Sequence, residues 1–158
     1  MADPLPPFDQ HGNLPAGQYG PTRQDFESRF VNVANSTTRS HIYEGWAQHR
    51  TALQTAGVDH ASPVLLDGSY VTGKRDPGDL DLAVEVDADL IANTGVLLAG
   101  PAAKPQYRCD AYAIPVYPSG SAEERVTLEL RAYWQKWFGK DRSGNPKGFV
   151  LATVGGLP

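Results

Sequence analysis

Between Asp79 and Val86 apolar and polar residues alternate: Leu80, Leu82, Val84 and Val86 fall on one side, Asp79, Asp81, Ala83 and Glu85 on the other. A period of two is that of a β-strand with one face in the core. The apolar run PVLLDG just before it closes on Gly68 and predicts a buried strand. CDAYAIPVY, from Cys109 to Tyr117, predicts a third strand, with Pro115 placing its far end at an edge or a stop. A last strand is expected over Lys147–Val154, KGFVLATV, after the polar turn KDRSGNP. Helical spacing appears in three other places. Thr22 and Asp25 form a cap for a short helix containing Phe26 and Phe30. From about Ser36 to Ala56, Ile42, Trp46, His49 and Leu53 share one face, and Gly57 is the stop. Ser121 and Glu124 read as a capping box for a helix whose predicted apolar stripe is Val126, Leu130, Tyr133, Trp134 and Trp137, ended by Gly139. The order α-α-β-β-β-α-β predicts an α+β fold, a small mixed β-sheet flanked by helices.

Residues 1–21 are rich in Pro and Gly yet contain Leu5, Phe8, Leu14 and Tyr19, which a pure linker would lack. The reading is an extended N-terminal arm, with a floppy tail as the alternative, followed by a single domain over 22–158. A chain of 158 residues is one domain's length, and 41% hydrophobic with 20% charged residues is ordinary for a globular protein. The net charge of −4, with no run of Lys or Arg, argues against strong nonspecific binding of nucleic acid. One cysteine cannot make an internal disulfide, which points to a reducing compartment. MADPLPPFDQ lacks the basic start and apolar run of a signal peptide, and no stretch reaches membrane-spanning length. Together these predict a cytoplasmic protein with no membrane partner.

The chemistry gathers around the two middle strands. Asp79 and Asp81, at i and i+2, project from one strand face about 7 Å apart. Two unpaired carboxylates that close repel and raise each other's pKa. A divalent cation between them removes that conflict, and Mg2+ (or Mn2+) suits hard oxygen ligands and substrate phosphates. Gly68 lets the chain turn tightly at the end of the preceding strand, so that backbone amides and the Ser69 hydroxyl can face an anion. Asp110, near the start of its strand, is the candidate third acid, and a solvent-facing acid is the alternative. Lys74 and Arg75 lie between the two halves of this stretch. They either neutralise phosphate charge or belong to an ordinary exposed loop.

GSYVTGKRDPGDLD resembles the signature of the polymerase-β-like nucleotidyltransferase superfamily: Gly-Ser, a spacer, then Asp-x-Asp on a strand, with a further Asp on a later strand. The chain also resembles a group of small bacterial nucleotidyltransferase-like proteins through PPFDQHGNLPAG at its start and GNPKG near its end. The resemblance implies a nucleotidyltransferase (polymerase-β-like palm) fold. It implies that Gly68 and Ser69 contact triphosphate, that Asp79 and Asp81 bind metal, and that Asp110 is the third carboxylate, assisting the attacking hydroxyl. The implied activity is transfer of a nucleoside monophosphate from a nucleoside triphosphate to a hydroxyl of a small molecule, protein or RNA. The chain departs from many relatives in having little room for an acceptor-recognising domain. That leaves a second reading open: a catalytically silent nucleotide-binding or partner-binding module, such as half of a toxin–antitoxin or phage-defence pair.

Other features carry less. Gly73-Lys74 lacks the pattern of a P-loop. His11, His41, His49 and His60 show no ligand spacing, so zinc is not expected. Cys109 reads as a small buried residue. Lys147 reads as a phosphate contact or a turn lysine.

Overall fold

The alternation along Asp79–Val86 becomes the strand β3 (Leu80–Asp87) in a computed structural model that describes residues 4–158. The first three residues of the expected arm lie outside the described residues. Two strands flank β3. β2 (Pro63–Asp67) pairs with it antiparallel through the connection over 68–79, and β5 (Cys109–Val116) pairs with it parallel after the crossover over 88–108. β6 (Phe149–Thr153) runs antiparallel to β2. Two strands of two residues complete a single mixed sheet in the order β1-β6-β2-β3-β5-β4: β1 (Gln18–Tyr19) lies parallel on β6, and β4 (Ala99–Gly100) antiparallel on β5. Among the described residues five α-helices accompany it: α1 (Arg23–Phe26), continued by a π-turn over Glu27–Val31, α2 (Arg39–Thr55), α3 (Ile91–Thr94), α4 (Lys104–Tyr107) and α5 (Glu124–Phe138). The fold is α+β around one six-stranded mixed sheet. None of the described helices is long and apolar enough to cross a membrane.

Leu66, Leu80, Leu82, Val84 and Val86 bury on one face of the sheet against α1 and α2. Phe26 centres an aromatic cluster there, its ring 5.1 Å from Phe30, 5.9 Å from Tyr43, 6.2 Å from Tyr70 and 6.3 Å from Trp46. Such pairs add about 0.5–1.5 kcal/mol each beyond burial. The expected cap holds, Thr22 Oγ1 accepting from the Asp25 amide at 3.1 Å. The opening segment is tied down too. Leu14 is fully buried, Phe8 packs on Phe30, and Arg29 donates to the carbonyls of Leu5 and Pro6.

The alternation predicts one core face for β3, and the structure gives it a second. Ala83 is fully buried with Leu65, Ile114 and Phe149 beneath α5, and Glu85 takes a bidentate pair from Arg131 on that helix at 2.6 and 3.1 Å. The stripe expected on α5 needs correction. Thr127, Trp134 and Phe138 are its buried residues, while Tyr133 and Trp137 stand 53% and 65% exposed. Thr127 bridges the end of β5, donating to the Pro115 carbonyl and accepting from the Tyr117 amide. The capping box also fails: Ser121 Oγ has no partner among the described residues, and Glu124 accepts from the Gly120 amide instead. α5 covers the sheet only as far as the site end of β3 and β5. Beyond it the same face carries carboxylates.

Candidate active site

The register of the sheet brings the acids into one row. Asp81 on β3 is directly opposite Asp67 on β2 and beside Asp110 on β5. Adjacent strands lie about 4.8 Å apart, so three carboxylates share one face within a few ångströms. Asp79, two residues before Asp81, adds a fourth on that face. Burial, then Asp79, Asp110 and Asp67 in turn, push the Asp81 carboxyl up to about 7. Asp110 Oδ1 is buried with no hydrogen-bond partner among the described residues.

Gly68 closes the row from below. Its φ of +77° turns the chain out of β2, and a Cβ at this position would overlap Asp81 Oδ2. The Asp81 carboxylate therefore lies over the glycine, and Ser69 opens a single helical turn, Ser69–Val71, at the rim. Gly68→Ala should cost about 2 kcal/mol in urea denaturation, from the positive φ and the displaced carboxylate. A loss under about 0.5 kcal/mol would mean that Asp81 does not rest there.

The segment after Gly68 is braced from behind by an arginine inside the protein. Arg39, 1% exposed, donates to the carbonyls of Phe30, Tyr70, Thr72 and Lys74 at 2.6–3.1 Å, and its guanidinium lies 4.9 Å from the Tyr70 ring. Further along, Asp76 accepts from the Thr37 amide at 2.7 Å and the Ser36 hydroxyl at 3.2 Å, locking the loop to the start of α2. The conformation between Ser69 and Asp79 is thus set by α2.

Two lysines answer the acids. Lys147 is buried and donates to Asp67 Oδ1 at 2.6 Å and the Gly68 carbonyl at 2.8 Å. Burial outweighs this lysine and raises the Asp67 carboxyl to about 6. The Lys147 loop is held by Asp141, which accepts from the side chains of Asn13 and Asn145, each at 3.0 Å, and from the Ser143 and Asn145 amides. Those bonds, with the two side-chain amides first, hold the Asp141 carboxyl down at about 2. Lys104 at the start of α4 pairs with Asp79 Oδ2 at 2.7 Å.

Of the residues singled out in the sequence, the sheet gathers Asp79, Asp81, Asp110, Gly68 and Ser69. Lys74 and Arg75 stay on the exposed loop. Lys74 gives its carbonyl to Arg39, Arg75 turns to Asp76 at 3.3 Å, and neither is hydrogen-bonded to the acids. Cys109 is buried, which pushes its thiol up and leaves it inert. Lys147 is neither of the things expected of it: it is an internal counter-ion. Asp67 and Lys104 are site residues the sequence did not mark. A carboxylate ending a buried strand beside Gly-Ser is a usable signal for Asp67. Nothing local announces Lys104.

The donor set is entirely carboxylate oxygen, which suits a hard divalent cation rather than zinc. Among the described residues no group of three His, Cys, Asp or Glu side chains is arranged to hold a metal ion, and Asp79 is turned to Lys104. The partnerless Asp110 oxygen and the raised Asp81 carboxyl both fit a cation between them.

The chain matches, over residues 6–153, a family described as a family of unknown function (DUF6932). No curated protein and no solved structure matches it.

Proposed function

The chain belongs to the DUF6932 family, for which no function is known, and we propose from its own residues that it is a metal-dependent nucleotidyltransferase. A single observation supports this most: a row of acids, Asp67, Asp81 and Asp110 with Asp79, beside a Gly-Ser turn, with one oxygen buried and unpartnered. In this reading the palm-like sheet presents Asp79, Asp81 and Asp110 to Mg2+ or Mn2+. Bound there, the cation supplies charge stabilisation to phosphoryl oxygens. Gly68 and Ser69 hold the phosphates through backbone amide and hydroxyl, with Lys74 and Arg75 at the open edge. The acceptor hydroxyl attacks the α-phosphorus, the new O–P bond forms as the bond to the β-phosphate oxygen breaks, and pyrophosphate leaves with the electron pair. Asp110 takes the hydroxyl proton.

Incubation with α-labelled nucleoside triphosphates, Mg2+ or Mn2+ and a cell extract should label an acceptor. Asp79→Ala should reduce that labelling about 10³-fold, as expected when several kcal/mol of charge stabilisation are lost. Labelling unchanged in the variant overturns the assignment.

Two observations favour a second reading, a catalytically silent module that binds a partner. Asp79 is already occupied by Lys104, and Tyr133 and Trp137 expose apolar surface along α5. In that case Asp79→Ala/Asp81→Ala keeps biological activity, and Trp137→Ala removes it.

A further inference from the structure

The four acids are not equally answered. Asp67 has Lys147 and Asp79 has Lys104, while Asp81 and Asp110 have no cationic partner among the described residues. One divalent cation balances those two charges with both lysines in place. A second cation, or any full use of Asp79, needs Lys104 to leave.

The two lysines differ in whether they can. The Lys147 side chain is 5% exposed and makes two hydrogen bonds, one to a backbone carbonyl. The Lys104 side chain is 43% exposed, and Asp79 is its only ion-pair partner among the described residues. It projects from the first position of α4, which follows the turn made by Gly100 at φ +66° and precedes Pro105, so its backbone is fixed while its stem reaches from the rim. A lysine is a compact charge on a flexible four-carbon chain, able to trade a carboxylate for a phosphate without moving its Cα.

We infer that Lys104 is a displaceable counter-ion: it holds Asp79 while no divalent cation is bound, and turns to the substrate's phosphates once one is. This rests on the cation site proposed above, and makes Lys104 a phosphate-binding residue of that site.

Calorimetric titration of Mn2+ alone into the wild-type protein, Lys104→Met and Lys104→Arg tests the first half. Lys104→Met should bind Mn2+ about fivefold more tightly than wild type, the gain from removing a competing exposed ion pair. Lys104→Arg, which keeps the charge, should stay within about twofold, in line with the small worth of exposed pairs. Titration of tripolyphosphate in the presence of Mg2+ tests the second half. There Lys104→Met should bind about tenfold more weakly, the loss of one charge-assisted hydrogen bond. Opposite signs in the two titrations mark a lysine that trades partners, because a purely structural lysine moves both the same way or neither. Wild type and Lys104→Met binding Mn2+ equally overturns the inference and leaves the cation site standing. No Mn2+ binding by either protein overturns the cation site and the inference with it.

Discussion

Lys147→Met should lower the unfolding free energy by about 3–4 kcal/mol at pH 8, and by only about 1 kcal/mol at pH 5. The pH-independent part is the lost bond to the Gly68 carbonyl. The rest is the buried Asp67 carboxylate, left without its cation. Asp67 is already raised to about 6 against an ordinary value near 4. A carboxyl raised on folding contributes most below its unfolded pKa, and that contribution is lost as pH rises through the folded one. Without Lys147 the folded value climbs further, so at pH 5 Asp67 simply keeps its proton and the variant suffers little. At pH 8 it must ionise in the interior or hold a proton against the solvent. Urea denaturation at both pH values measures the difference, and Lys147→Met/Asp67→Asn should recover most of the pH 8 loss. Equal losses at pH 5 and pH 8 would show that the lysine serves packing alone.

That ion pair also shows where sequence reading stops. The alternation of β3 is legible because its core face is unbroken from Leu80 to Val86. Its other face misleads because Ala83 is small enough to look indifferent, yet it sits under α5. On α5 itself, aromatic size suggests burial, but two stripes run along the helix, and the sheet takes the one with Thr127, Trp134 and Phe138. Thr127 hides from a hydrophobicity pattern because hydrogen bonds, not apolarity, hold it inside. β1 and β4 have two residues each, too few for any period. In the site, Gly68, Asp79 and Asp81 lie close along the chain, so spacing alone can find them. Lys147 and Asp67 are 80 positions apart, and only the β2–β6 pairing brings them together. Arg39 falls on the helix that packs against the sheet, where a charge reads as solvated, and its partners are carbonyls that no composition reveals.

Asp81→Asn should raise the melting temperature at pH 8 by roughly 4–8 °C while abolishing stabilisation by divalent cations. Asp81 is held up to about 7 by burial and by three neighbouring carboxylates. Unfolded, it titrates near 4, so its contribution is complete below pH 4, fades as pH rises through 7, and above that is a net penalty on the folded state. The climb from near 4 to about 7 caps that penalty at about 4 kcal/mol, and relaxation around a partly solvated group brings the expected gain nearer 2 kcal/mol. Asparagine keeps the shape, removes the charge, and offers an amide hydrogen to the partnerless Asp110 Oδ1. At pH 4.5 the gain should shrink to almost nothing, because the wild-type carboxyl is then protonated. Wild type at pH 8 should gain stability from Mn2+ and gain less at pH 4.5, since the ion must displace that proton. Thermal melts of both proteins at the two pH values, with and without Mn2+, give all these comparisons. A variant equally destabilised at pH 8 and pH 4.5 would make Asp81 a structural acceptor, and the row of acids would lose its claim to a cation.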